Sequence, residues 1–129
     1  MPTDEQYQRL LEFRTRLRQF DQWSRAAAEA HGLTHAQHQL LLAVRGSTRP
    51  GGPTIGDVAD ALLIKHHTAS GLVDRIQELG LVERVRGGED SRRVHLRLTE
   101  AGTRALTALT EVHLEELRRL GPLLDVPHD

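Results

Sequence analysis

Apolar residues recur at helical spacing over residues 5–30: Leu10, Phe13, Leu17, Phe20 and Ala27, with Leu11 and Trp23 widening the stripe. A repeat every three or four positions predicts one long amphipathic helix. Arg14, Arg16, Arg18 and Arg25 fall largely on its other faces, and His31-Gly32 stops it. Thr34-His-Ala-Gln37 places a hydroxyl three residues before a glutamine, the pattern of a capping box. It opens a second helix that buries Ala36, Leu40, Leu41 and Val44 and ends at Gly46. Residues 46–53, Gly-Ser-Thr-Arg-Pro-Gly-Gly-Pro, read as a loop.

Thr54-Ile-Gly-Asp57 repeats the capping logic and starts a short helix, 54–62, whose buried face is Ile55, Val58, Ala59 and Leu62. A tight turn, Leu63-Ile64-Lys65, leads into a helix over 66–79 with Ala69, Leu72, Val73, Ile76 and Leu79 buried and Gly80 as its stop. The period then changes. Residues 81–86 form a strand, 87–91 a turn built on Gly87-Gly88, and 92–98 a second strand. There Val94, Leu96 and Leu98 alternate with Arg93, His95 and Arg97, so one face is buried and one wet. Thr99 caps a last long helix to about 120, with Leu106, Leu109, His113, Leu117 and Leu120 as its stripe, ended by Gly121-Pro122. The predicted class is mainly α with a small β-hairpin wing: a winged helix-turn-helix with long N- and C-terminal helices.

With 129 residues the chain is expected to form a single domain, 1–129. Two Phe, one Trp and one Tyr make its core aliphatic. Having no cysteine, it has no disulfide, cysteine zinc site or thiol switch. It lacks an apolar run of the ~18 residues that a membrane span needs. The N-terminus, Met-Pro-Thr-Asp-Glu-Gln-Tyr, does not read as a secretory signal, so a cytoplasmic location is expected. Net charge is −1, but its distribution is uneven. Residues 84–97 carry five arginines (84, 86, 92, 93, 97) against Glu89 and Asp90, net +3, whereas 101–129 carry net −2.

A basic hairpin directly after a helix-turn-helix points to duplex DNA. The second helix of the pair would lie in the major groove, presenting Lys65, His66, His67, Thr68, Ser70, Asp74 and Arg75. Gly71 would let a base or backbone approach closely. In the wing, Arg86, Arg92 and Arg93 are the candidate contacts, with an arginine entering the minor groove and Asp90 holding Arg92 or the turn. The alternative is a solvated polar helix face and a surface salt bridge.

Asp90, Arg92, Leu98, Thr99 and Gly102 give D-x-R, five residues, then L-T-x-x-G. This pattern resembles the signature of the MarR family of winged helix-turn-helix regulators, strongly over 33–102. The resemblance implies a homodimer joined through 5–30 and 99–120, with 33–100 as the DNA-binding lobe. It implies a repressor on a pseudo-palindromic operator, released by a small phenolic or lipophilic anion. The turn departs from the family, where Gly-Val-Ser is common: here it is Leu63-Ile64-Lys65, without glycine or a capping side chain. His66-His67 replaces a common basic or proline residue, so the DNA sequence read does not carry over.

A ligand crevice is expected between the long helices and the DNA lobe. Its walls would be Leu17, Phe20, Trp23, Leu41 and Val44, with Arg16, His38 or Arg45 for an anionic head group. Eight histidines raise a zinc-responsive alternative through Glu29, His31, His38, His113 and Glu116. The last helix lacks the i, i+4 histidine pair that the resemblance would call for, so no metal or cofactor is expected. A winged-helix protein-interaction module without DNA binding is the other alternative. No nucleophile–base pair, phosphate loop or carboxylate cluster suggests an enzyme.

Overall fold

The computed structural model describes residues 1–86 and 92–124. Five helices and a two-stranded antiparallel hairpin follow in the order α1 (Asp4–Ala30), α2 (His35–Gly46), α3 (Ile55–Leu62), α4 (His66–Glu78), β1 (Val82–Arg86), β2 (Val94–Leu98) and α5 (Glu100–Leu124). Thr3, Thr34 and Thr54 each accept a hydrogen bond from the backbone N–H three residues on, and the side chain there accepts one from the cap residue's own N–H. Local chemistry thus sets three helix starts. At Asp57 the Thr54 backbone N–H, and then Arg49, holds the carboxyl below its ordinary range.

The core lies where α2, α3, α4, the hairpin and α5 converge. Leu40, Leu41, Val58, Val73, Ile76, Val82, Leu96, Leu106 and Leu109 form one buried cluster, joined by Ala28 and Leu33 at the end of α1. The hairpin pairs Val82 with Leu98 and Arg86 with Val94. Loop 47–53 lies along β2: the Leu96 N–H donates to the Pro53 carbonyl at 2.8 Å, and His95 Nδ1 donates to the Gly52 carbonyl at 2.7 Å.

The L-T-x-x-G segment has a geometric cause. The Thr99 N–H donates to the Leu81 carbonyl (3.1 Å), and its hydroxyl donates to the Gly80 carbonyl (2.6 Å). The same hydroxyl accepts from the Gly102 N–H at 3.0 Å, capping α5. Gly102 lies so close to the end of α4 that a Cβ there would sit 1.9 Å from the Leu81 oxygen. One threonine and one glycine therefore fasten the start of the last helix to the junction of α4 and β1.

Four expectations change. The helix α5 continues through Gly121-Pro122 to Leu124. A proline's φ suits a helix and it forfeits one hydrogen bond, so the last turn can carry it. Leu79 is 56% exposed, because α4 ends beside it. Ala36 is exposed on the outer side of α2. The strands are shorter than 81–86 and 92–98, because Leu81 serves the α4 cap and residues 92–93 belong to the turn. The first half of α1 has little to pack on within the chain, and Leu10, Leu11 and Leu17 stay 59, 65 and 40% exposed.

The turn between α3 and α4 puts Leu63 in the left-handed region (φ 56°, ψ 44°) with its side chain 92% exposed. A non-glycine residue there costs about 1–2 kcal/mol, and Leu63 gains no burial in return. Leu63→Gly should therefore stabilise the protein by about 0.5 kcal/mol, net of glycine's extra chain entropy. Gly102→Ala should cost more than about 3 kcal/mol, since backbone rather than a flexible side chain must yield. Urea unfolding midpoints check both, and a G102A protein as stable as wild type would contradict the close approach.

Candidate nucleic-acid interface

The helix-turn-helix is α3 and α4. Its second helix buries Ala69, Val73 and Ile76 against the core, which turns the opposite face outward. On that face Lys65, His66, His67, Thr68, Gly71 and Arg75 are exposed, and Ser70 is half-buried. Lys65 occupies the N-cap without a side-chain hydrogen bond, so the first backbone N–H groups of α4 carry no side-chain cap from it. Such groups suit an anion.

Beside this face stands the hairpin. Arg86, Arg92 and Arg93 are exposed on it. Asp90, with the whole 87–91 turn, lies outside the described residues. Arg97 and Arg84 are committed to carboxylates. Arg97 donates to Glu83 across the strand pair at 2.6 Å. Arg84 reaches back to α4, donating to Asp74 at 2.6 Å and also to Gln77. That pair ties the hairpin base to the recognition helix and neutralises Asp74, the acidic residue among the outward-facing ones named above. Sequence reading grouped Arg84 with the wing's positive charge. The signal that could have shown otherwise is the register: Arg84 follows the short Gly80 turn out of α4, within side-chain reach of the helix's last turns.

The expected ligand crevice does not assemble as a set. Leu41 and Val44 are core residues. Phe20, Trp23 and His38 gather with His113 into a ring cluster, with Trp23–His113 and His38–His113 centroids 4.8 and 4.7 Å apart. Arg16 is half-buried along α1, paired with Glu12 at 3.7 Å. Arg45 instead borders a cavity of about 330 Å³ between α2 and α5, with Leu42, Leu98, Leu106, Thr103, Thr107 and Thr110 on its walls. Helical periodicity does not say which flank of α2 faces α5, and it is there that Arg45 lies. Among the described residues no three His, Asp or Glu side chains gather as a metal-ligand set, and no helix is long and apolar enough to cross a membrane.

Three-helix packing, a two-helix reader and a hairpin directly after it define a winged helix-turn-helix protein. The MarR family model matches residues 31–93. MepR of Staphylococcus aureus, in a complex with DNA, superposes with a TM-score of 0.72 at 26% identity, covering 88% of this chain and 82% of that one. A further MarR family transcription regulator reaches 0.78 at 24% identity over 92% of this chain and 77% of that one. Apo MarR from E. coli shares the fold at 0.68 and 20% identity, over 79% and 73%. No curated protein matches the chain. Over residues 31–93 the chain is similar to the MarR family of winged helix-turn-helix regulators, and it shares their fold.

The Arg84–Asp74 tie is open to a double-mutant cycle. Arg84 is 28% and Asp74 59% exposed at the side chain, so screening limits the pair to about 0.5–1 kcal/mol of coupling in unfolding free energy. Additive R84A and D74A effects would remove the tie from the wing's support.

Proposed function

We propose that this chain is a DNA-binding transcriptional regulator that works as a homodimeric repressor. The carrying observation is the continuous surface of α4 and hairpin, with His66, His67, Thr68 and Arg75 beside Arg86, Arg92 and Arg93, all exposed. Hydroxyls and helix N-terminal N–H groups would hold phosphates, histidines and Ser70 would reach base edges, and a wing arginine would enter the minor groove. Asp90 keeps its proposed part in holding the wing. MepR, a relative at 26% identity, has been solved on DNA, which supports the same mode here. The operator would be pseudo-palindromic, matching the two-fold symmetry of the dimer. No chemical step is assigned to the surface, and the protein would act in the cytoplasm.

The dimer reading rests on α1 and α5. Tyr7, Leu10, Leu11 and Leu17 on one, and Leu114 and Leu117 on the other, are 38–65% exposed. That is more apolar surface than two helices of a small lone chain normally leave to water. The effector would be a small apolar or weakly acidic molecule. The α2–α5 cavity, with Leu42, Leu98 and Leu106 on its walls and Arg45 and Glu111 at its edge, is a place of suitable size for it. Zinc as effector lacks a gathered ligand set among the described residues.

Affinity for a fragment upstream of the protein's own gene should fall steeply with salt, with a log–log slope of about −0.9 per phosphate neutralised. Arg92→Ala should cost about 1–3 kcal/mol of that affinity and leave unfolding unchanged. A flat salt response, or equal affinity for R92A at matched salt, contradicts the reading.

Sedimentation should show a dimer at micromolar concentration, since such interfaces typically bury more than ~2,000 Å². Leu10→Glu with Leu114→Glu should break it, and a folded wild-type monomer under those conditions would end the dimer assignment.

A further inference from the structure

The meeting point of α1, α2 and α5 holds a packed pair of titratable rings, one buried and one half-buried. His38 of α2 is 2% exposed and rests against His113 of α5, ring centroids 4.7 Å apart and tilted by 48°. His113 also joins α5 to α1. Its Nδ1 donates to the Leu109 carbonyl at 2.7 Å, which leaves Nε2 to accept from the buried Ser24 hydroxyl at 2.7 Å. Trp23 and Phe20 of α1 pack against the same ring at 4.8 and 6.1 Å. The neutral form of His113 thus satisfies both nitrogens within the junction. His38 has one long contact, from the Gln39 side-chain amide to Nδ1 at 3.4 Å.

We infer that the His38–His113 pair is a proton-operated latch: neutral, it seals the DNA lobe onto the long helices, and protonated, it opens that junction and weakens DNA binding. The effect on affinity rests on the DNA-binding reading; the opening itself does not.

A proton added to His38 finds no carboxylate in contact, and the His113 ring packed against it opposes the charge. Burial first, then His113, His35 and His31, push His38 from its ordinary 6.5 down to about 4. The packed arrangement keeps this contribution above about pH 6.5 and loses it progressively as pH falls towards 4. For such a group the opened arrangement gains about twenty-fold at pH 5 relative to pH 7.

The surrounding charges do not cancel this. From α1, Asp21 lies 3.7 Å from the His35 Nε2, while the buried His35 Nδ1 has no partner. After α1, His31 Nδ1 donates to the Ala27 carbonyl at 2.9 Å. On α5, Glu116 is held by Arg119 at 2.5 Å, which keeps its carboxyl below the ordinary range. The elements on the other sides of α2 face it with Val58, Val73, Ile76 and Leu96, which carry no charge. Among the described residues no carboxylate bonds to either ring.

Loosening the junction should weaken a two-lobed DNA reader for a geometric reason. Two recognition helices must meet major-groove segments about 34 Å apart, and a lobe freed from the long helices loses that preorganisation. Other histidines, His66 and His67, lie on the proposed DNA-binding face itself. The informative quantity is therefore the difference between wild type and a non-titrating variant.

The test measures DNA affinity of the wild type, His38→Gln and His38→Leu from about pH 8 to pH 5 at constant ionic strength. Fluorescence of Trp23, the single tryptophan, is read alongside, because Trp23 packs on His113 within the same junction and its environment changes when the junction opens. The wild type should lose on the order of tenfold more affinity than H38Q, with a fluorescence step at a midpoint between 4 and 6.5 that the variants displace. Superimposable affinity and fluorescence profiles in all three proteins overturn the latch. Where neither variant folds, amide exchange of the wild type decides. Faster exchange confined to the α1–α2–α5 junction below about pH 6.5 supports the latch, and exchange unaltered beyond its intrinsic pH dependence overturns it. Absence of wild-type DNA binding at pH 8 would instead defeat the DNA-binding reading, and the fluorescence step would still decide the latch.

Discussion

The approach of the Gly102 backbone to the Leu81 carbonyl is the contact on which the arrangement of the functional parts depends. It places the first turn of α5 directly against the point where α4 gives way to β1. The Thr99 hydroxyl closes the same point from both sides, donating to Gly80 and accepting from Gly102. Three elements with different tasks, the recognition helix, the wing and the last long helix, therefore share one fixed corner. A shift of α5 relative to the lobe cannot be absorbed there. It must appear either as a rotation of the whole lobe or at the softer contacts α5 makes with α2 and α1.

How much of this was readable in advance follows from the range of each interaction. The starts of α2 and α3 were legible because a capping box spans three residues and is written in adjacent letters. The L-T-x-x-G pattern was legible as a pattern, but its cause was not, since it depends on Leu81, about twenty residues upstream in chain order. The left-handed Leu63 was not legible either. Leucine carries no signal for that conformation, and only the need to fit α4 into the core after a short turn puts it there. The run of α5 past Gly121-Pro122 shows the same limit from the other side: a breaker near a helix end acts only when the next turn has nothing to gain.

The candidate surface divides in the same way. Which residues of α4 face outward was decided by the helical period, and the structure leaves His66, His67, Thr68 and Arg75 exposed accordingly. How the arginines of the hairpin pair is a tertiary matter: Arg84 is drawn to Asp74 and Arg97 to Glu83. The ligand set failed to gather because period alone placed Leu41 and Val44 next to Phe20 and Trp23. The packing of α2 instead turns those aliphatics inward and offers His38 to the aromatic cluster.

The histidine junction gains its leverage from where it sits along α1. Ser24, Trp23 and Phe20 contact His113 at the end of α1 that packs on its own chain, while Leu17, Leu10 and Tyr7 continue along the same helix with their side chains open to solvent. At 1.5 Å per residue a helix of this length is a stiff rod of roughly 40 Å. Whatever covers its outer apolar half, a second copy in the proposed dimer, is thus mechanically joined to the ring cluster at its inner half. The corner at Gly102 makes the lobe rigid, and the rod makes the interface rigid. The compliance between them is then concentrated in the α1–α2–α5 contacts, where a buried ring with a single weak hydrogen bond is a poor host for charge. That is the place in this fold where a small change in solution chemistry can move the largest mass.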